Sequence, residues 1–246
     1  MFENVATFPT FYKTLRLTIL QCLADEGYWV EDGVICERDY VPHRRERWYL
    51  VAIRRDVKRK KVPSILHDRY IPTRVPRMSR LVTKLPMKEW RLAPHMCAQS
   101  CLDNVLSAYN EVGLRKCNPF AECVVVDMQN SEKISNYHYA IEECPALERT
   151  RCSTFGYWCT TKGGPLDVPE MAALQGLNND EFDWEKAHLT PHAAADCIGN
   201  SLNKYVVLSF LPQLLYAANL LSPEDYIVLK NRSKASIIGM TTTDFE

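Results

Sequence analysis

Hydrophobic spacing changes character along the chain. Residues 1–56 read as strand, helix, strand, strand. Phe2 to Ala6 is a short apolar run interrupted by Glu3 and Asn4. Beyond Pro9, the residues Tyr12, Leu15, Ile19, Cys22 and Leu23 recur at helical spacing. They predict a helix from about Phe11 to Glu26, with Gly27 as its stop. Tyr28 to Cys36 reads as extended, and the apolar, aromatic run Arg47 to Ile53 as a strand after a turn near Pro42. From 57 to 164, Pro63, Pro72, Pro76, Pro86 and Pro94 break any long element. Short strands are expected around Cys123–Asp127 and Gly156–Trp158 within an irregular region. Regular pattern returns at 165–221. Asp167 to Leu174 predicts a short helix with proline in its first turn and Gly176 past its end. A final helix is expected from about Leu202 to Leu221, with Val207, Leu211, Leu214, Ala218 and Leu221 as its buried stripe and a bend at Pro212. After Ser222 the chain turns polar and is expected to fray.

Composition adds one asymmetry to this picture. The 246 residues are 46% hydrophobic and 24% charged, ordinary for a globular protein, and carry no formal net charge. Yet residues 41–91 hold 16 lysines and arginines against 4 acids, a local charge of +12 balanced by −12 elsewhere. Such a block is either a polyanion surface or a solvated face. No basic-apolar leader opens the chain, and no apolar run approaches the roughly 20 residues needed to cross a bilayer. Ten cysteines without a disulfide rhythm read as an intracellular, reduced protein. Neither the Cys97/Cys101 nor the Cys117/Cys123 spacing matches a tight zinc knuckle, so no metal is expected. His95, His138 and His192 lack partner spacing, and Trp158 reads as a core aromatic.

Taken singly, an acid at a strand end and an Arg-Arg-Glu-Arg cluster are both ordinary surface features. Together, separated by a helix and a strand, they resemble a known pattern. Glu3-Asn4-Val5 followed by Val41-Pro42-His43-Arg44-Arg45-Glu46-Arg47-Trp48-Tyr49-Leu50-Val51 is similar to the ENV and QRRER-type motifs of the C5-cytosine methyltransferase family. Asp167 to Leu177, ending in LQGL, resembles the family's ninth motif; Gly199-Asn200-Ser201-Leu202 before a long apolar helix resembles its tenth.

The resemblance implies an α/β fold: a partial Rossmann-like methyltransferase sheet, keeping the later strands and the C-terminal helix, with an inserted irregular, β-rich target-recognition domain. Residues 1–56 and 165–222 would form the partial catalytic domain, 57–164 the recognition domain, and 223–246 a polar tail. It implies methyl transfer from S-adenosylmethionine to carbon 5 of a cytosine flipped from its stack. Glu3 matches the family's acid at the ring nitrogen N3, where burial against Phe2 and Val5 would favour a protonated carboxyl. Arg47 matches the guanidinium for the base carbonyl, and Arg45 that for the neighbouring phosphate or thiol region. Asn4 would brace the strand end. Asn200 and Ser201 match positions lining the methyl-donor pocket. Arg149 and Arg151 are candidate phosphate contacts, with a plain surface loop as the alternative.

The chain departs from the family at His43, where glutamine is usual, and at Pro165 and Asp167, where arginine and threonine are usual. The glycine-rich donor motif is not found, and none of the ten cysteines follows a proline as the family's nucleophile does. The 246 residues alone are therefore expected not to methylate, and a second chain carrying those front motifs is a possible partner. DNA is the expected nucleic acid, which would place a eukaryotic protein in the nucleus. Cys152-Ser-Thr-Phe-Gly-Tyr157 is partly similar to a stretch of the tRNA-methylating branch, which keeps tRNA as an alternative. A catalytically dead nucleic-acid-binding module is the other.

Overall fold

The computed structural model describes residues 1–58, 64–83, 98–129, 138–178 and 180–242. Pro63, Pro86, Pro94, His95 and Cys97 lie outside these residues. The chain divides into two compact units: 1–40 with 46–74 and 204–246, and 41–45 with 75–203. The boundaries expected from the sequence lie at 56/57, 164/165 and 222/223.

In the first unit, β1 (Phe2–Val5), β2 (Tyr28–Cys36) and β3 (Glu46–Arg54) form a sheet in the order β1-β3-β2, antiparallel throughout. The parallel register of a Rossmann-like sheet does not occur among the described strands. A connection of only nine residues joins β2 to β3, too short for the crossover that parallel neighbours require. Alternate residues of β3 face opposite sides. Trp48 and Leu50 pack with Phe8 beneath α1 (Phe8–Phe11) and α2 (Lys13–Asp25), together with Ile19, Leu20 and Leu23. Asp32 locks this layer: Arg16 reaches it with Nε at 2.6 Å and Nη2 at 2.9 Å, and the Trp48 indole N–H donates at 2.6 Å.

The expected α2 stripe is corrected. Tyr12, Leu15 and Cys22 are exposed, whereas Ile19, Leu20 and Leu23 face the sheet. The helical run breaks at Tyr12, whose φ of −113° and ψ of 41° are not helical, so Tyr12 stands outside α2. On the other face of β3, Tyr49 meets Phe210 of α8 (Lys204–Ala217) edge-on, with ring centroids 5.9 Å apart. The buried side of α8 is Tyr205, Val206, Ser209, Phe210, Gln213 and Ala217. The predicted Val207, Leu211, Leu214 and Ala218 stripe is half-buried. Pro212 stands inside α8, which continues through it.

Nor does the chain fray after Ser222: α9 (Pro223–Thr242) forms there. Ser222 Oγ accepts from the Asp225 N–H at 3.0 Å, Pro223 takes the first position, and Glu224 and Asp225 suit the positive end of the helix. Tyr226 stacks on Tyr216 at 4.6 Å, and Ile237 is buried. Polar composition had hidden these anchors.

The second unit is built on a sheet in the order β5-β4-β6-β7: β4 (Val124–Asp127), β5 (Tyr139–Ile141), β6 (Tyr157–Cys159) and β7 (Gly164–Pro165), all antiparallel. Val124 and Val126 face α4 (Gln99–Leu114) and its Val105, Ala108 and Val112. Cys123 and Val125 face the larger core beneath α5 (Arg149–Ser153), α6 (Val168–Leu174) and α7 (Pro191–Gly199). Met78 of the short α3 (Met78–Leu81) closes that core. α6 begins in a capping box in which Asp167 and Glu170 satisfy each other's backbone N–H groups. The buried Lys162 joins both carboxylates, at 2.9 and 2.6 Å.

Candidate functional site

The pleat of β1 and β3 decides which side chains can meet. Their antiparallel register sets Glu3 opposite Tyr49 and Val5 opposite Arg47, so Glu3, Val5, Arg47 and Tyr49 share one face. Arg47 Nε lies 2.8 Å from Glu3 Oε1, with both side chains mostly shielded, and Arg47 Nη1 also donates to the Glu46 carbonyl at 2.8 Å. The acid and the guanidinium that the sequence singled out are therefore diagonal neighbours across two strands. The apolar enclosure expected around Glu3 is not found: Phe2 is 61% and Val5 48% exposed, and the carboxylate's neighbour is a cation. Asn4 lies on the opposite face, opposite Trp48 in register, where its Oδ1 accepts from the Val5 N–H at 2.8 Å.

The remaining candidates belong to the second unit. Arg45 is 4% exposed, and its Nη1 donates to the Ser201 carbonyl at 3.0 Å. Ser201 Oγ donates to the Ile198 carbonyl at 2.8 Å, while Asn200, the residue that ends α7, is exposed. The carboxamide of Asn200 is donor and acceptor at once. Arg149 is exposed and pairs with Asp196 at 2.8 Å. Arg151 is held between Asp127, at 2.8 Å, and Glu148, which ties β4 to α5. Between these two arginines, Arg149 is the more accessible.

Sequence reasoning did not identify these partners. Asp127 and Asp196 carry no motif, and nothing in their spacing marks them. Gly199 did carry a signal, a glycine at the head of a motif. A Cβ there would lie 2.7 Å from Arg149 Cα and 2.9 Å from Arg149 N, so the end of α7 rests directly on the backbone that starts α5.

The buried cysteines differ. Burial pushes the Cys152 thiol up to about 12 and Cys144 well above its ordinary value, whereas the hydrogen bond from Cys123, with help from the Thr161 hydroxyl, outweighs burial and lowers the Cys159 thiol to about 7. Cys123 and Cys159 touch, Sγ to Sγ, at 3.4 Å; this contact and burial raise the Cys123 thiol. Among the described residues, no group of three or more His, Cys, Asp or Glu side chains could hold a metal ion, and no helix is long and apolar enough to cross a membrane.

Comparison with known proteins bears on the same residues. The family profile for the C-5 cytosine-specific DNA methylase matches residues 1–214. No curated protein matches the chain. Among solved structures, the S. pombe Dnmt2 methyltransferase aligns with a TM-score of 0.50 at 18% identity, over 88% of this chain and 66% of that one. The Entamoeba histolytica methyltransferase EhMeth aligns at 0.49 and 14% identity, over 89% and 62%. The chain thus spans just under two thirds of the length of these structures.

Proposed function

Since the chain belongs to the C-5 cytosine-specific DNA methylase family, we propose that it supplies the base-holding part of a DNA cytosine-5 methyltransferase. The observation that carries this reading is the Arg47–Glu3 pair on one face of β1 and β3, 2.8 Å apart.

Carbon 5 of cytosine is a poor nucleophile until a thiolate adds at carbon 6. Negative charge then builds towards N3 and O2 of the ring. Glu3 acts at N3, holding or moving a proton there, a role worth roughly 10² to 10⁴ in rate. Arg47 supports the carbonyl side and keeps the carboxyl group oriented, as a donor fixed in advance of the reaction. Asn4 keeps the turn after β1 in place through the Val5 amide.

In the second unit, Arg45 supports the backbone at Ser201, and Arg149 offers a phosphate contact, with Arg151 holding the helix it stands on. Asn200 and Ser201 would hold S-adenosylmethionine, which supplies an electrophilic methyl group when bound. The attacking thiol and the glycine-rich donor motif are not among the motifs of these 246 residues. In this reading they come from sequence beyond them, on the same chain or on a second one.

A second reading, tRNA as substrate, rests on the partial likeness of Cys152–Tyr157 to a stretch of the tRNA-methylating branch. Tyr157, at the end of the Cys152–Tyr157 stretch, donates its hydroxyl to the Ala146 carbonyl at 2.6 Å and accepts from the Glu148 N–H at 2.9 Å. That stretch therefore sets the entry to α5 and Arg149. Binding to a cytosine-containing DNA duplex and to a tRNA anticodon hairpin, titrated at matched salt, separates the two. Tighter binding of the duplex supports the DNA reading; a preference for the hairpin replaces it with the tRNA one.

A further inference from the structure

His43 occupies the place where the family's motif carries glutamine, and the structure gives that exchange a purpose. The imidazole is fully buried. The Leu147 N–H donates to its Nε2 at 2.6 Å. A buried amide needs an acceptor, and Nε2 can serve only with its lone pair free. The ring is therefore neutral and carries its proton on Nδ1.

Around this bond two segments are stitched together. Arg44 N–H donates to the Cys144 carbonyl at 2.9 Å and Cys144 N–H to the Pro42 carbonyl at 2.7 Å, while Arg44 pairs with Glu143. Tyr157 pins the same 146–148 stretch from the other side. Two residues after His43 comes Arg45, whose own N–H donates to the His43 carbonyl at 3.0 Å and whose guanidinium reaches Ser201.

We propose that His43 is a positioning residue: its neutral imidazole, bonded to the Leu147 amide, fixes segment 42–45 and so sets the Arg45 guanidinium against the Ser201 carbonyl. Glutamine can do the same work, because its side-chain oxygen ends at about the reach of Nε2. Asparagine is too short to do so. The assignment of Arg45 to the functional site rests on the reading above; the positioning itself does not.

The test compares H43Q, H43N and H43A in the full chain by amide hydrogen exchange at Leu147 and by the NMR signal of the Arg45 Nε–H. H43Q should keep Leu147 protection within about threefold of wild type. H43N and H43A should lose at least about fivefold, the scale of one hydrogen bond, and shift or broaden the Arg45 signal. Equal protection in H43A and wild type overturns the proposal, and so does H43N matching H43Q. Should H43N and H43A fail to fold, the wild-type imidazole decides: correlation of its nitrogens with ring protons must find hydrogen on Nδ1 and none on Nε2, and the opposite tautomer refutes the bond. Affinity for a DNA duplex at fixed salt is read separately. R45A binding as tightly as wild type removes Arg45 from the site, while the exchange data still decide what His43 does.

Discussion

At the scale of single residues, the account turns on how few side chains define the site. Glu3 and Arg47 are 44 positions apart in sequence, and the strand register makes them neighbours. E3Q retains the shape and hydrogen-bonding groups but cannot exchange a proton at N3. In a reconstituted enzyme it should lower single-turnover methyl transfer by roughly 10² to 10⁴ while leaving nucleic-acid affinity within a few-fold. Gly199 makes a different demand, for space. G199A forces a methyl group against the Arg149 backbone, which has no flexible end to give way. It should cost about 1–3 kcal/mol, read as a lowered urea midpoint with an unchanged slope. Glycine's presence in the motif was plain from the sequence. The reason for it lay in a contact with a residue 50 positions away, which no local pattern carries.

Among the elements, legibility followed the strength of local signals. β2 and β3 were readable because β-branched and aromatic residues run between clear stops, and Gly27, at φ 83°, ends the preceding helix in the left-handed region that favours glycine. α4 was missed although Cys101, Val105, Ala108 and Val112 recur at helical spacing, because the prolines on either side suggested an irregular region. The phases of α2 and α8 were misread for another reason. Both helices are apolar on more than one side, so tertiary contacts select the buried face.

Two element-level predictions follow from buried charges. Burial works against the Asp32 carboxylate, but the hydrogen bonds from Arg16 and Trp48 and the Arg16 charge outweigh it and hold its pKa below the usual carboxylate range. Asp32 binds a proton less readily folded than unfolded, so its stabilisation is complete above the unfolded value near 4 and fades as pH falls through the lowered one. D32N should therefore cost about 1.5–3 kcal/mol at pH 7, with the gap between its urea midpoint and that of wild type closing below about pH 4. Lys162 is the second case. K162M leaves Glu170 buried without its cation and should destabilise the second unit by about 3–5 kcal/mol, seen as a lower midpoint for the fluorescence change of Trp158.

For the whole molecule, the family profile covers residues 1–214, and the aligned structures are longer than this chain. The motifs near residues 3, 43, 167 and 199 were legible because each is a short chemical requirement with little freedom of spelling. Less legible was the division into units, which interleaves segments from across the sequence. The most direct test of the central claim is radiolabelled methyl transfer from S-adenosylmethionine to a cytosine-containing DNA duplex. The chain is mixed with a polypeptide carrying the glycine-rich and Pro-Cys motifs, and wild type is compared with E3Q. The account predicts turnover in the wild-type mixture and a drop of at least about 100-fold with E3Q. An E3Q mixture that turns over as fast as wild type, or a wild-type mixture that never methylates, would contradict it.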